Sequence, residues 1–444
     1  MFSLKVYLNI SLLSVLLTGI SPGQSSHEES VLDRFLRYAK INTESKEGVD
    51  TVPSTAHQFN LARILVKELQ EMGISDARLD DHCFVYGTIP CNLTGEDCGK
   101  VPSIGFISHL DTSPEVSGDH VNPIVHHNYQ GNDISLPGDS AQVITTGANP
   151  RLRDNTGSDI ITADGTTLLG ADDKAGIAEI MTAIQTLAHD TTIHHGTVRV
   201  AFTPDEETGT GVAKFDLKGF GAQYAYTVDG GFAGEISNET WNADEALLTF
   251  RGHNTHPGNA KGKMVNSLYI LSDFISRLPE NMRPEATDKR EGFLHPYSGT
   301  MTAEQSDLRI LLRSFDTSGL TKERRILMDI RKGTLEKFPS GKIDIVFQES
   351  YRNMKLKLDR VPFVTEYALE ACRGAGLQPK LVPTRGGTDG SDLTAMGLPC
   401  PNLFTGGENF HSKLEWIPVR GMEKAVQTIV NLIKIWKQES LPPK

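Results

Sequence analysis

Two histidines and a scattered set of carboxylates stand where strands are expected to end. His109 and Asp111 form an H-x-D pair directly after Ser103 to Ser108, a run that reads as a buried strand. Asp172 and Asp173 lie in LLGADDKAG, just before a helix expected from Lys174. Asp205, Glu206 and Glu207 follow a strand ending at Phe202, Asp229 follows the next strand in VDGG, and His411 sits far downstream in FTGGENFH. Ligands of open α/β sheets gather beyond the carboxyl ends of the strands. Singly, each residue has an ordinary role. Asp172 or Asp173 suits a helix cap, Asp205 to Glu207 a solvated turn, Asp229 a turn before Gly230, and a lone His a hydrogen-bonded side chain. Together, His109, Asp172, Glu207, Asp229 and His411 offer two imidazoles and three carboxylates. Zinc takes these donors, and two ions roughly 3.5–4 Å apart need a carboxylate between them. Asp111 is placed to accept the second ring N–H of His109. Glu206 is then left over as a base for the attacking water.

The elements that must position these groups are legible in the apolar pattern. Val31, Leu32, Phe35, Leu36 and Ala39 recur at helical spacing, as do Leu61, Ile64, Leu65, Leu69 and Met72 ahead of Gly73. Lys174 to His189 reads as a strong amphipathic helix, and Val198 to Phe202 and Tyr224 to Val228 as strands. Strands alternating with helices predict an α/β core with a largely parallel sheet. Near Gly234 the order changes to a strand at 246–250, a helix at 264–278, strands at 297–302 and 308–313, a helix at 320–338 and a strand at 342–347. This βαββαβ order is that of a ferredoxin-like unit. The expected organisation is a catalytic domain in two parts, 28–232 and 351–444, with a lid inserted at 233–350. Glu115 to Thr167 is loop-rich, with room for a small hairpin.

A formal charge of −12 without a basic block argues against nucleic acid or an anionic membrane as the main partner. Residues 1–25 have the order of a secretory signal: one early Lys, an apolar run from Val6 to Ile20, then small residues. The run is too short to favour a membrane span, so a secretory compartment is expected. Of the five cysteines, Cys91 and Cys98 flank a Gly-containing loop and could pair in such a compartment.

SHLDTSPE, LLGADDKAGIAEI, TPDEETGTG, VDGG, HPGNAKGKMVN, RGGTDGSDL and GLPCPNLFTGGENFHSKLE together resemble the M20 family of co-catalytic zinc peptidases, in its peptidase T branch. The resemblance runs from about residue 30 onward. It implies two zinc ions per subunit, with Asp172 bridging, His109 and Asp229 on one ion, and Glu207 and His411 on the other. It further implies Glu206 as general base, Asp111 as the partner of His109, and His256 as a group reaching the reacting carbonyl, often across a dimer. Arg313, Asn353 and Arg385 are the candidates for holding a peptide's C-terminal carboxylate. The activity implied is release of the N-terminal residue from tripeptides by a homodimer. The alternatives are another M20 activity (dipeptidase, carboxypeptidase or N-acyl amino acid deacylase) or a non-catalytic peptide- or metal-binding protein. For the compartment, the bacterial family implies the cytoplasm.

Overall fold

The computed structural model describes residues 28–441 of the chain. The expected signal over residues 1–25 lies outside the described residues.

An eight-stranded sheet runs in the order Arg78–Leu79, Val85–Ile89, Val198–Thr203, Ile104–His109, Tyr224–Gly230, Asn402–Phe404, Glu235–Ser237, Lys380–Leu381. Its four central strands, from Val198–Thr203 to Asn402–Phe404, are parallel to their neighbours within that group, and antiparallel pairs flank them on both sides. Ile104–His109 is buried along its whole length, as a strand covered on both faces must be. Helices Val31–Ala39, Ala171–His189, Phe363–Gly374 and Val419–Ser440 pack on this sheet through one continuous apolar cluster. All four central strands point their carboxyl ends the same way, so His109, the turn after Thr203 and Asp229 emerge along one edge.

A second sheet, wholly antiparallel, has the order Phe293–Met301, Gln305–Ser314, Asn242–Arg251, Lys342–Tyr351. With helices Ser267–Ser276 and Thr317–Lys337 it makes the expected βαββαβ unit, around a separate core of Phe250, Phe274, Ile310 and Leu327. It interrupts the large sheet in sequence, because Glu235–Ser237 before it and Lys380–Leu381 after it belong to that sheet. The hairpin strands are longer than the apolar pattern predicts. Phe293–Met301 begins ahead of the expected start at 297, with Phe293 and Leu294 buried and the second half exposed. The first helix starts at Ser267 rather than Met264, because the Asn266 side chain accepts the N–H of Leu268 and caps it there.

The loop-rich stretch contains the expected hairpin, Ile134–Ser135 with Val143–Ile144. It also supplies Ile124–His126 and Ile160–Thr162 to a small sheet completed by Trp416–Pro418. Cys91 and Cys98 are joined in a disulfide, with Cα atoms 5.9 Å apart. Among the described residues no helix is long and apolar enough to cross a membrane.

Candidate metal centre

Two strand ends, two turns and one loop deliver the expected ligands. Asp172 and Asp173 open the segment Ala171–His189 with non-helical backbone angles, so the regular helix begins at Lys174 and neither side chain caps it. The two carboxylates part company. Asp173 is fully buried and accepts bonds from the Ser108 hydroxyl and, at 3.1 Å, the His109 N–H. Asp172 faces the cavity. A His109, Asp173, Asp229 grouping also lies within metal-binding spacing, but these bonds make Asp173 a strut beneath His109. Asp205 anchors the next turn. It has a left-handed φ of 56° and accepts the Ser54 N–H, the Ser54 hydroxyl and the Gln58 amide at 2.5–2.7 Å. A solvated turn would not bury such an anchor.

The five expected ligands meet. His109 Nε2 lies 2.9 Å from Asp172 Oδ1 and 3.6 Å from Asp229 Oδ1. His411 Nε2 lies 3.2 Å from Asp172 Oδ2 and 2.9 Å from Glu207 Oε2. The two oxygens of Asp172 therefore face different histidines, as a carboxylate shared between two ions requires. Asp111 serves two groups at once. His109 Nδ1 stands 3.0 Å from its carbonyl and 3.4 Å from its carboxylate, which also accepts the N–H groups of Glu206 and Glu207 at 3.0 and 3.2 Å. With Nδ1 so occupied, Nε2 is the free donor atom of His109.

The electrostatics call for cations. Burial pushes Asp229 up to about 6, and burial with the charge of Asp172 pushes Glu207 up to about 7. Glu206 is raised well above its ordinary value by burial and then by the charge of Asp229. Bonds to Asp172 and Glu207 drive His411 up to about 11. Burial opposes the charge of His109, yet bonds to Asp111, Asp172 and Asp229 hold it well above the usual imidazole range. The cluster binds protons where metals would otherwise neutralise it. Glu207 Oε1 is buried without a hydrogen-bond partner, an orphan acceptor that a divalent ion would satisfy. The donor set and this orphan fit a dinuclear metal centre.

Asp172, Glu206, Glu207, Asp229 and His411 line a cavity of about 790 Å³ that also receives Arg313, Ser350 and Tyr351 from the antiparallel unit. Arg313 reaches it as expected. Asn353 and Arg385 do not, and both assignments are corrected. The Asn353 amide donates to Phe315 O at 3.0 Å and its carbonyl accepts the N–H of Lys355 at 2.9 Å. The Arg385 guanidinium stacks 4.8 Å over Trp241 and donates to Lys289 O and Thr287 Oγ1 at 2.8 and 3.1 Å. Their polar groups hold loops. His256 lines a separate cavity with Asn254, Pro257 and Asn266, its Nδ1 accepting the Gly258 N–H at 3.1 Å.

Some participants escaped the sequence reading. Glu115 Oε2 lies 3.2 Å from His411 Nδ1, the counterpart of Asp111 at His109. Asp389 and Asp392 also face the cavity, and Asp389 accepts the Thr203 hydroxyl at 2.5 Å. The only signal for Glu115 was its place in SPE, shortly after the H-x-D pair.

The sequence matches the Peptidase family M20/M25/M40 over residues 162–435. It is 46% identical over 410 residues to Peptidase T of Desulfitobacterium hafniense, a match spanning 92% of this chain and 99% of that one. Identity to Peptidase T of Geobacillus kaustophilus is 45% over 413 residues, 93% of this chain and 100% of the relative. Among solved structures the fold is similar to that of the aminopeptidase PepT from Bacillus cereus, with a TM-score of 0.70 at 24% identity over 92% of this chain and 98% of that one. It is likewise similar to a tripeptidase from Staphylococcus aureus, with a TM-score of 0.71 at 22% identity over 93% and 99%. One expectation is corrected by these matches. The secretory signal expected over residues 1–25 conflicts with the bacterial Peptidase T family to which these relatives belong, and nothing in the matches shows one.

Proposed function

The chain belongs to the M20/M25/M40 peptidase family, in its peptidase T branch, and from that membership and the acidic cavity we propose that it removes the N-terminal residue from tripeptides. The carrying observation is the convergence of His109, Asp172, Glu207, Asp229 and His411 beside the cavity that Glu206 lines. Two zinc ions are the cofactor. His109, Asp172, Glu207, Asp229 and His411 would hold them. When bound, the ions supply Lewis acidity toward the scissile carbonyl and the attacking water.

The chain's own groups supply the rest. Glu206 takes the proton of the attacking water and delivers it to the leaving amine. Asp111 keeps His109 and the Glu206–Glu207 turn in one frame. Arg313 donates through one terminal nitrogen to Asp244 O and Leu312 O and also meets Tyr351, and the rest of its fork is the contact for the substrate's carboxylate. His256 donates to the developing oxyanion. Because it lies at another cavity of the lid, residues 233–350, it is delivered from the lid of a second subunit in a homodimer.

A panel of tripeptides, dipeptides, C-terminally amidated tripeptides and N-acyl amino acids, assayed with measured metal content, tests the reading. Tripeptides with both ends free should be cleaved fastest, and removing metal should abolish turnover. Faster cleavage of dipeptides or N-acyl amino acids would assign another M20 activity, and bound metal without turnover on any member would mark a binding protein.

A further inference from the structure

Glu415 stands four residues beyond His411, at the base of the loop that carries that histidine. It is 1% exposed. Its Oε2 accepts the backbone N–H groups of Leu169 and Gly170, each at 2.8 Å, and its Oε1 accepts that of Asp172 at 3.1 Å. All of these donors belong to the turn that aims Asp172. A side chain without acceptors there would strand three buried N–H groups.

The other end of the connection is equally tied. Glu408 and Trp416 exchange backbone hydrogen bonds of 2.9 and 3.1 Å and close the loop. Inside it, the Asn409 amide donates to Leu414 O at 3.0 Å and to Asn149 Oδ1 at 2.8 Å, and the Ser412 hydroxyl donates to Asn409 O at 2.7 Å. His411 itself has a left-handed φ of 59° within that frame. Asp172 and His411 are 239 positions apart in the chain, yet their carboxylate and imidazole stand 3.2 Å apart. Glu415 is the side chain that bonds one loop to the other.

We propose that Glu415 is a positioning residue that couples the His411 loop to the Asp172 turn and so sets the carboxylate shared by both ions before either arrives. This rests on the two-ion reading of the site. It separates Glu415 from a residue that merely satisfies a tight turn, because a shared carboxylate that is mis-aimed weakens both metal positions together.

Glu415→Gln keeps the shape but turns an amide toward backbone N–H donors, and Glu415→Asp keeps the charge but withdraws it by one methylene. Zinc affinity of the folded variants, measured by competition with a chromophoric chelator, is read beside thermal melts of the metal-free proteins. Both zinc affinities should fall in parallel by about 10–100-fold, the usual cost of losing a group that supports metal ligands. His411→Ala should weaken one position only. Lowered melting with both zinc affinities at the wild-type level, or weakening at one position alone, would overturn the inference. If Glu415→Gln does not fold, Glu415→Asp decides by the same readout. Wild-type protein that binds two zinc ions but cleaves no tripeptide would refute the proposed activity and leave this inference standing, whereas wild type that binds no zinc would refute both.

Discussion

Glu206 and Glu207 are neighbours in sequence, and the proposed mechanism gives them different tasks that match the bonds around them. Glu207 Oε2 meets His411 at 2.9 Å, whereas Glu206 lines the cavity without an imidazole partner. Glu206→Gln should therefore keep both metals and lower kcat by about 10²–10⁴-fold, the range for loss of a general base. Metal analysis beside steady-state kinetics checks this, and near-normal kcat would remove Glu206 from the mechanism. Metal uptake should also depend on pH with a definite sign. His411 holds its proton up to about pH 11 in the metal-free site, and Asp229 and Glu207 take protons at about 6 and 7. Falling pH adds protons that compete with the ion, so zinc affinity should drop at least about ten-fold per pH unit below neutrality. Calorimetry between mildly acidic and neutral pH tests this, and an affinity flat across that range contradicts it. The five proposed ligands and the proposed base could be picked out because His, Asp and Glu stand just past apolar strands. Asn353 and Arg385 misled because an amide or guanidinium in a suggestive motif says nothing of which carbonyls it will meet.

At the scale of elements, the approach of helix Ala171–His189 to strand Tyr224–Gly230 sets the distance between Asp172 and Asp229. Gly176 permits it: a Cβ there would stand 1.9 Å from Val228 O and 2.4 Å from Asp173 Oδ1. Gly176→Ala should push helix and strand apart and cost at least about 1–3 kcal/mol, as overpacking does. It should weaken zinc binding as well. Urea unfolding of the metal-free protein gives the first quantity, and an unchanged midpoint would show that the contact relaxes freely. The helix itself was legible from Ile177, Ile180, Met181 and Ile184. Its non-helical opening at Asp172 and Asp173 was not, because adjacent aspartates before a helix also suit a plain cap. The strands Ile124–His126 and Ile160–Thr162 were missed for a related reason: three residues carry too little alternation to register.

For the whole molecule, His256 lies away from the metal cavity, and the proposed reading has a second subunit deliver it. Mixing Glu206→Gln protein with His256→Ala protein, each nearly inactive, should restore about a quarter of wild-type activity, because statistical exchange makes half the dimers mixed and each mixed dimer owns one intact site. No recovery after subunit exchange, verified by mass, would place His256 in its own subunit's site or outside the reaction. Sequence alone determined the α/β class and the inserted βαββαβ unit, and it supplied the candidate ligands and the candidate base, since these follow from local periodicity and from residue types at strand ends. Tertiary structure alone decided that Asp172 rather than Asp173 faces the cavity, that Glu115 and Glu415 support the ligands, and that Arg313 but neither Asn353 nor Arg385 reaches the pocket. Those outcomes depend on contacts between segments far apart in the chain, and spacing within a segment carries no information about which distant backbone it will meet.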